Sequence, residues 1–97
     1  MDDSMKPANM PVEILIVEDS PTQVQQLQHI LEQQGYLVFI AANGREALEA
    51  VQGRKPTLII SDVIMPEMDG YELCQRVKSD ASLADIPVIL EIGRAHV

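Results

Sequence analysis

Four short apolar runs, VEILIV from Val12, YLVFIA from Tyr36, LII from Leu58 and IPVIL from Ile86, are separated by stretches whose apolar residues recur at helical spacing. None of the runs alternates strictly between apolar and polar residues, so each reads as a strand covered on both faces, the condition of a parallel sheet. Parallel neighbours need crossover connections, and right-handed crossovers place helices on both sides. The chain is therefore expected to be α/β, a doubly wound parallel sheet read as strand-helix-strand-helix-strand-helix-strand.

Local signals fix the joints. Ser20 is placed to cap a helix with Pro21 at its first position, and that helix carries Val24, Leu27, Ile30 and Leu31 on one stripe before stopping at Gly35. Asn43 caps a second helix with Ala47, Leu48 and Val51 inward, closed by Gly53 and Pro56. The third strand ends at Ser61-Asp62, and a Met-Pro-Glu-Met-Asp-Gly loop leads to a helix with Leu73, Cys74 and Val77 inward. The fourth strand is expected over residues 86–90. Residues 1–10 show no periodicity and read as a flexible leader, which leaves residues 11–90 as the folded unit.

With 97 residues the chain holds one domain at most, and 46% hydrophobic against 23% charged residues suits a globular protein. A formal net charge of −8 argues against direct nucleic-acid binding, because replacing the counterions of a phosphate backbone takes lysines and arginines. The single Cys74 has no internal disulfide partner, and neither a secretory leader nor a membrane-length apolar run is visible, so the expected compartment is a reducing cytoplasm, off the membrane.

The first strand ends in Glu18-Asp19 and the third in Asp62, and in an open parallel sheet functional groups gather beyond the carboxyl ends of the strands. Two carboxylates about 4 Å apart repel by about 4 kcal/mol at an effective dielectric of about 20, which calls for a compensating cation. Magnesium suits an all-oxygen set of one or two carboxylates plus water, and no His or Cys stands nearby in the sequence to favour zinc. With the ion in place, Asp62 can act as a carboxylate nucleophile towards phosphorus. Read singly, Glu18 and Asp19 are ordinary helix-start acids and Asp62 an ordinary loop acid.

The strings ILIVEDS, SDVIMPEMDGYEL and IPVIL resemble the receiver domain of two-component response regulators, over roughly residues 12–90. The resemblance implies a flavodoxin-like fold with strand order 2-1-3-4-5 in the intact family. It makes Asp62 the phosphoacceptor, Asp19 a direct Mg2+ ligand, Glu18 an acid that holds the ion largely through water, and the backbone carbonyl of Ile64 a further ligand. The implied donor is a histidine kinase or phosphotransfer protein, with an output domain possible in the parent protein. On this resemblance the chain is a signalling module of a phosphorelay, not an enzyme, with only slow self-catalysed phosphorylation and dephosphorylation. Pro66 is expected to stiffen the loop after the acceptor and Gly70 to relax a turn before the helix, with Met65 and Met68 packing beneath.

The family places Ser or Thr at the end of the fourth strand and Lys at the end of the fifth, and neither stands here. After Leu90 the chain reads EIGRAHV, which one reading frame of a widely used sequencing adapter also encodes, so residues 91–97 are expected to be a non-native tail. A chain without those switch residues is expected to be impaired as a receiver. With the fourth strand left as a bare edge it should also expose apolar surface and be poorly soluble or partly molten. Two rivals are weaker: a hydrolase or phosphotransferase would want a second acid where Ile64 stands, and a flavin carrier a hydroxyl- and glycine-rich loop in place of EDSPTQ. A pseudo-receiver that only mediates contacts would not need Glu18, Asp19 and Asp62, which counts against that reading for the parent protein and leaves it open for this fragment. His29, His96 and Cys74 are assigned no role.

Overall fold

The computed structural model describes residues 11–91; the expected leader and residues 92–97 of the expected tail, with His96, lie outside them. Seven elements follow in the expected order: β1 (Glu13–Val17), α1 (Pro21–Gln33), β2 (Leu37–Ala41), α2 (Gly44–Gly53), β3 (Leu58–Asp62), α3 (Gly70–Ser79) and β4 (Val88–Glu91). The strands form one parallel sheet in the order β2-β1-β3-β4. Its register pairs Val17 with Ala41 on one side and with Ser61 on the other, so the carboxyl ends of β1, β2 and β3 finish level.

The helix ends are built as the sequence indicates. The Ser20 side chain accepts from the Gln23 amide at 3.4 Å, with Pro21 supplying the first helical residue. At the far end of α1, Gly35 takes φ +89°, the Gly35 N–H donates to the Glu32 carbonyl and the Tyr36 N–H to the Leu31 carbonyl. These paired bonds are a Schellman motif, and they draw Tyr36 into the helix cap rather than the strand. Asn43 and Asp69 cap α2 and α3, each accepting from an amide three residues on at 2.8 Å.

Two apolar layers flank the sheet. Leu15, Val17 and Ile59 pack with Ala47 and Val51 of α2 and with Leu73 and Val77 of α3. On the opposite face Ile14, Ile16 and Ile60 pack against Leu27 and Leu31 of α1. Ile30 departs from its expected inward position and is 57% exposed, α1 being the only helix on this face among the described residues. Cys74 is half-buried rather than inward, because Leu73 and Val77 take the centre of the α3 contact.

The fourth strand is displaced by two residues from the expected start and runs one residue further, to Glu91. Pro87 cannot donate to a ladder, and its carbonyl accepts from the Ile59 amide at 3.0 Å just ahead of the strand. Ile86 is buried beside Leu83 as an anchor of the preceding turn, and Lys78 Nζ donates to the Ile86 carbonyl at 2.6 Å.

Candidate functional site: an acidic cleft at the strand ends

Three acids meet where β1 and β3 stop. Glu18, Asp19 and Asp62 each offer a carboxylate oxygen, and these oxygens all lie within 4.8 Å of one another. Asp62 is the last residue of β3 and only 3% exposed, Glu18 is half-buried, and Asp19 stands in solvent. Burial on one side and water on the other is the setting in which an exchangeable ligand can reach a fixed carboxylate.

Backbone amides meet two of the acids, closely at Glu18 and more distantly at Asp62. Glu18 donates its amide to the Ala41 carbonyl at 3.0 Å, continuing the β1–β2 ladder, and its Oε2 accepts from the Ser20 amide at 3.0 Å. The same residue thus aims at the cleft and ties the β1–α1 turn. Asp62 Oδ1 accepts from the Ile64 amide at 3.4 Å, and the Ser61 hydroxyl donates to the Asp62 carbonyl at 2.9 Å.

The loop after Asp62 is clamped on both sides. The Met68 amide donates to the Pro66 carbonyl at 2.8 Å, closing a three-residue turn around Glu67, whose φ of 69° lies in the left-handed region. Pro66 and the side chain of Ile64 point to solvent, Ile64 being 71% exposed, while Met65 is buried in the α2–α3 layer. Met68 packs against that layer and touches Gly44, where a Cβ would stand 2.8 Å from its sulfur.

Gly70 matters for a reason other than the expected turn freedom. It opens α3 directly against the end of β3, and a Cβ there would sit 2.4 Å from the Asp62 carbonyl oxygen and 3.0 Å from Val63 Cα. The Gly70 amide donates to the Val63 carbonyl at 2.8 Å. Only a residue without a side chain lets the helix approach this closely.

The cleft has a volume of about 190 Å³, and its walls include residues that the sequence reading did not single out. It extends from Glu18 and Asp62 onto the α1 face of the sheet, over Ile16, Ile60 and Leu27, with Gln23, Gln26 and Glu91 also lining it and Asp19 outside it. The strand-end rule that located Asp62 applies equally to Glu91, since the two are partners in the β3–β4 register.

The donor set fits a hard divalent cation. It is composed of carboxylate oxygens, with no His or Cys in the cluster, and it leaves room for water and for phosphate oxygens as further ligands.

The family model described as "Response regulator receiver domain" matches residues 14–94. The chain belongs to the response regulator receiver family. The match runs four residues past the expected limit at Leu90. Response regulator Rre1 of Synechocystis sp. is 38% identical over 85 residues, covering 87% of this chain and 37% of that protein. The signal receiver domain of a signal transduction histidine kinase from Syntrophus aciditrophicus is 54% identical, with a TM-score of 0.82 over 88% of this chain and 64% of that one. The receiver domain of sensor histidine kinase PA1611 from Pseudomonas aeruginosa, described with a magnesium ion coordinated in the active site cleft, is 28% identical, with a TM-score of 0.78 over 82% of this chain and 66% of that one.

The chain thus spans less than two thirds of each of these relatives. The strand order is that of the receiver fold. Accepting a phosphoryl group is the function of the receiver family, whose members are signalling modules that interact with histidine kinases and phosphotransfer proteins. No helix of the described residues is long and apolar enough to cross a membrane.

Proposed function

We propose that this receiver accepts a phosphoryl group on Asp62 from a phosphohistidine, in a site loaded with Mg2+. The observation that carries the reading is the meeting of Glu18, Asp19 and Asp62 within 4.8 Å at the ends of two adjacent strands. Asp19 and Asp62 would ligate the ion directly, Glu18 largely through water, and the Ile64 carbonyl would add a fourth position. When bound, the ion neutralises negative charge on the transferring phosphoryl oxygens.

The chain's own residues supply position. The Ile64 amide on Oδ1 and the packing of Gly70 against the Asp62 carbonyl hold the nucleophile at a fixed angle. A carboxylate oxygen of Asp62 forms the new bond to phosphorus as the phosphorus–nitrogen bond of the donor breaks. The electron pair leaves on the ring nitrogen of a donor imidazolium, which departs as neutral imidazole. The donor is a histidine kinase or a phosphotransfer protein, and turnover is limited to slow self-catalysed phosphorylation and hydrolysis. A lone cysteine suits a reducing cytoplasm, to which we assign the protein. Its net charge of −8 suits no direct contact with nucleic acid.

Incubation with acetyl phosphate and Mg2+, read by intact mass, tests this. One base-labile phosphoryl group is expected per chain, absent with a chelator and absent in Asp62→Asn. Sustained phosphate release from a range of esters, or label that survives Asp62→Asn, overturns it.

A further inference from the structure

The fourth strand sets a charge beside the acceptor. Asp62 and Glu91 are partners in the parallel β3–β4 register, so their side chains leave adjacent strands on the same face. Neighbouring strands lie about 4.8 Å apart, so the two side chains start as neighbours, with the exposed Glu91 at the rim of the cluster formed by Glu18, Asp19 and Asp62 rather than within it. The Val63 amide donates to the Glu91 carbonyl at 2.9 Å and fixes this strand end. Both residues line one cleft with Glu18, Gln23 and Gln26, and no lysine or arginine among the described residues lines it.

We propose that Glu91 is a specificity-determining residue for phosphoryl acceptance: its negative charge beside Asp62 opposes attack on anionic donors and strengthens the hold on a cation. The inference rests on the receiver reading of Asp62, and it concerns the chain with Glu91 in place, whatever the origin of that residue. A phosphoryl donor approaches as an anion, and a single repulsive charge in largely solvated surroundings slows its reaction by about three- to tenfold. The same charge attracts a divalent ion, so one substitution moves the two properties in opposite directions. A side chain that merely supports the strand end would move them together or not at all.

The test compares the full chain with Glu91→Gln and with the charge-conserving Glu91→Asp. The rate of Asp62 labelling by acetyl phosphate is followed at several salt concentrations, and Mg2+ binding is measured by calorimetry. Glu91→Gln should label about three- to tenfold faster at low salt, with the gain shrinking as ionic strength rises, and should bind Mg2+ several-fold more weakly. Glu91→Asp should stay within about twofold of the parent in both. Equal labelling of the parent and Glu91→Gln at Asp62, or a gain indifferent to salt, overturns the role of Glu91 and leaves the receiver reading standing. Absence of Asp62-dependent label from both chains overturns the receiver reading, and the inference falls with it.

Discussion

On the face covered by α2 and α3, Ala47, Ile59, Leu73 and Val77 have no exposed surface, whereas on the face covered by α1 Ile40 and Ile89 keep 45% and 48% of theirs and Ile30 of the helix itself 57%. The strands feeding the two faces are equally apolar: Leu15 and Val17 look one way, Ile14 and Ile16 the other. Position in the sheet and helix cover both contribute: Ile14 and Ile16 of the central β1 are buried on the α1 face too, and Leu37 and Phe39 of the edge strand β2 stay 42% and 37% exposed on the other, while the α1 face has one covering helix against two among the described residues. An apolar strand residue is an opportunity for burial, and a neighbouring element decides whether it is taken. Asp62 sits on the border between the two regimes, held by α3 on the closed side and lining a cleft with α1 on the open side.

The sharpest way to break this contrast is a pair of truncations. Leu73→Ala should lower the urea-unfolding free energy by about 2–5 kcal/mol, the cost of a cavity in a layer that cannot collapse around it. Ile30→Ala should cost less than about 1 kcal/mol, since little apolar surface is withdrawn from water at that position. Equal losses would show that the two faces are equally closed in solution. A second, smaller effect tests the border itself: Gly70→Ala forces α3 away from the Asp62 carbonyl and should cost about 1–3 kcal/mol while slowing phosphorylation of Asp62. Unchanged labelling would mean that the helix can retreat without moving the acceptor.

The smallest effect belongs to the rim of the closed face. Arg54 makes two hydrogen bonds of 2.8 Å to Glu13 and lies 4.9 Å over the Phe39 ring, tying the end of α2 to β1 and β2. The hydrogen bond from Arg54, aided by its charge, lowers the Glu13 pKa from its ordinary value. A depressed carboxylate pKa gives stability that is present above the unfolded pKa and lost as pH falls through the folded one. Stability should therefore decline on acidification below the usual glutamate range, slightly less steeply in Glu13→Gln, and the difference should shrink with salt because the pair is solvated. A steeper decline in the variant would exclude this pairing.

Much of this was legible in the sequence, for reasons tied to particular residues. The strand-helix alternation fixed the topology, and strand ends on one edge of a parallel sheet made the convergence of Glu18, Asp19 and Asp62 foreseeable. Caps at Ser20, Asn43 and Gly35 are local chemistry and were read correctly. What stayed hidden is tertiary. The helical stripe that includes Ile30 carries no information on whether a second helix lies beside it. The need for glycine at residue 70 comes from the approach of the Asp62 carbonyl, which no local pattern encodes. Glu13 and Arg54 pair across 41 positions of sequence, and Gln23 and Gln26 become cleft residues only once α1 is seated on the sheet.

The register of the central strands bears on how the molecule is made. β1 lies between β2 and β3, with Ile14 opposite Leu58, so half of its ladder waits for a segment that leaves the ribosome after two helices have been synthesised. A nascent chain ending before residue 58 holds only a two-stranded ribbon, whose apolar faces invite chaperones. Closing the loop across that span costs chain entropy that no contact of this pair offsets until β3 arrives. The acidic cluster is completed only in that step, when β3 carries Asp62 to Glu18 and Asp19.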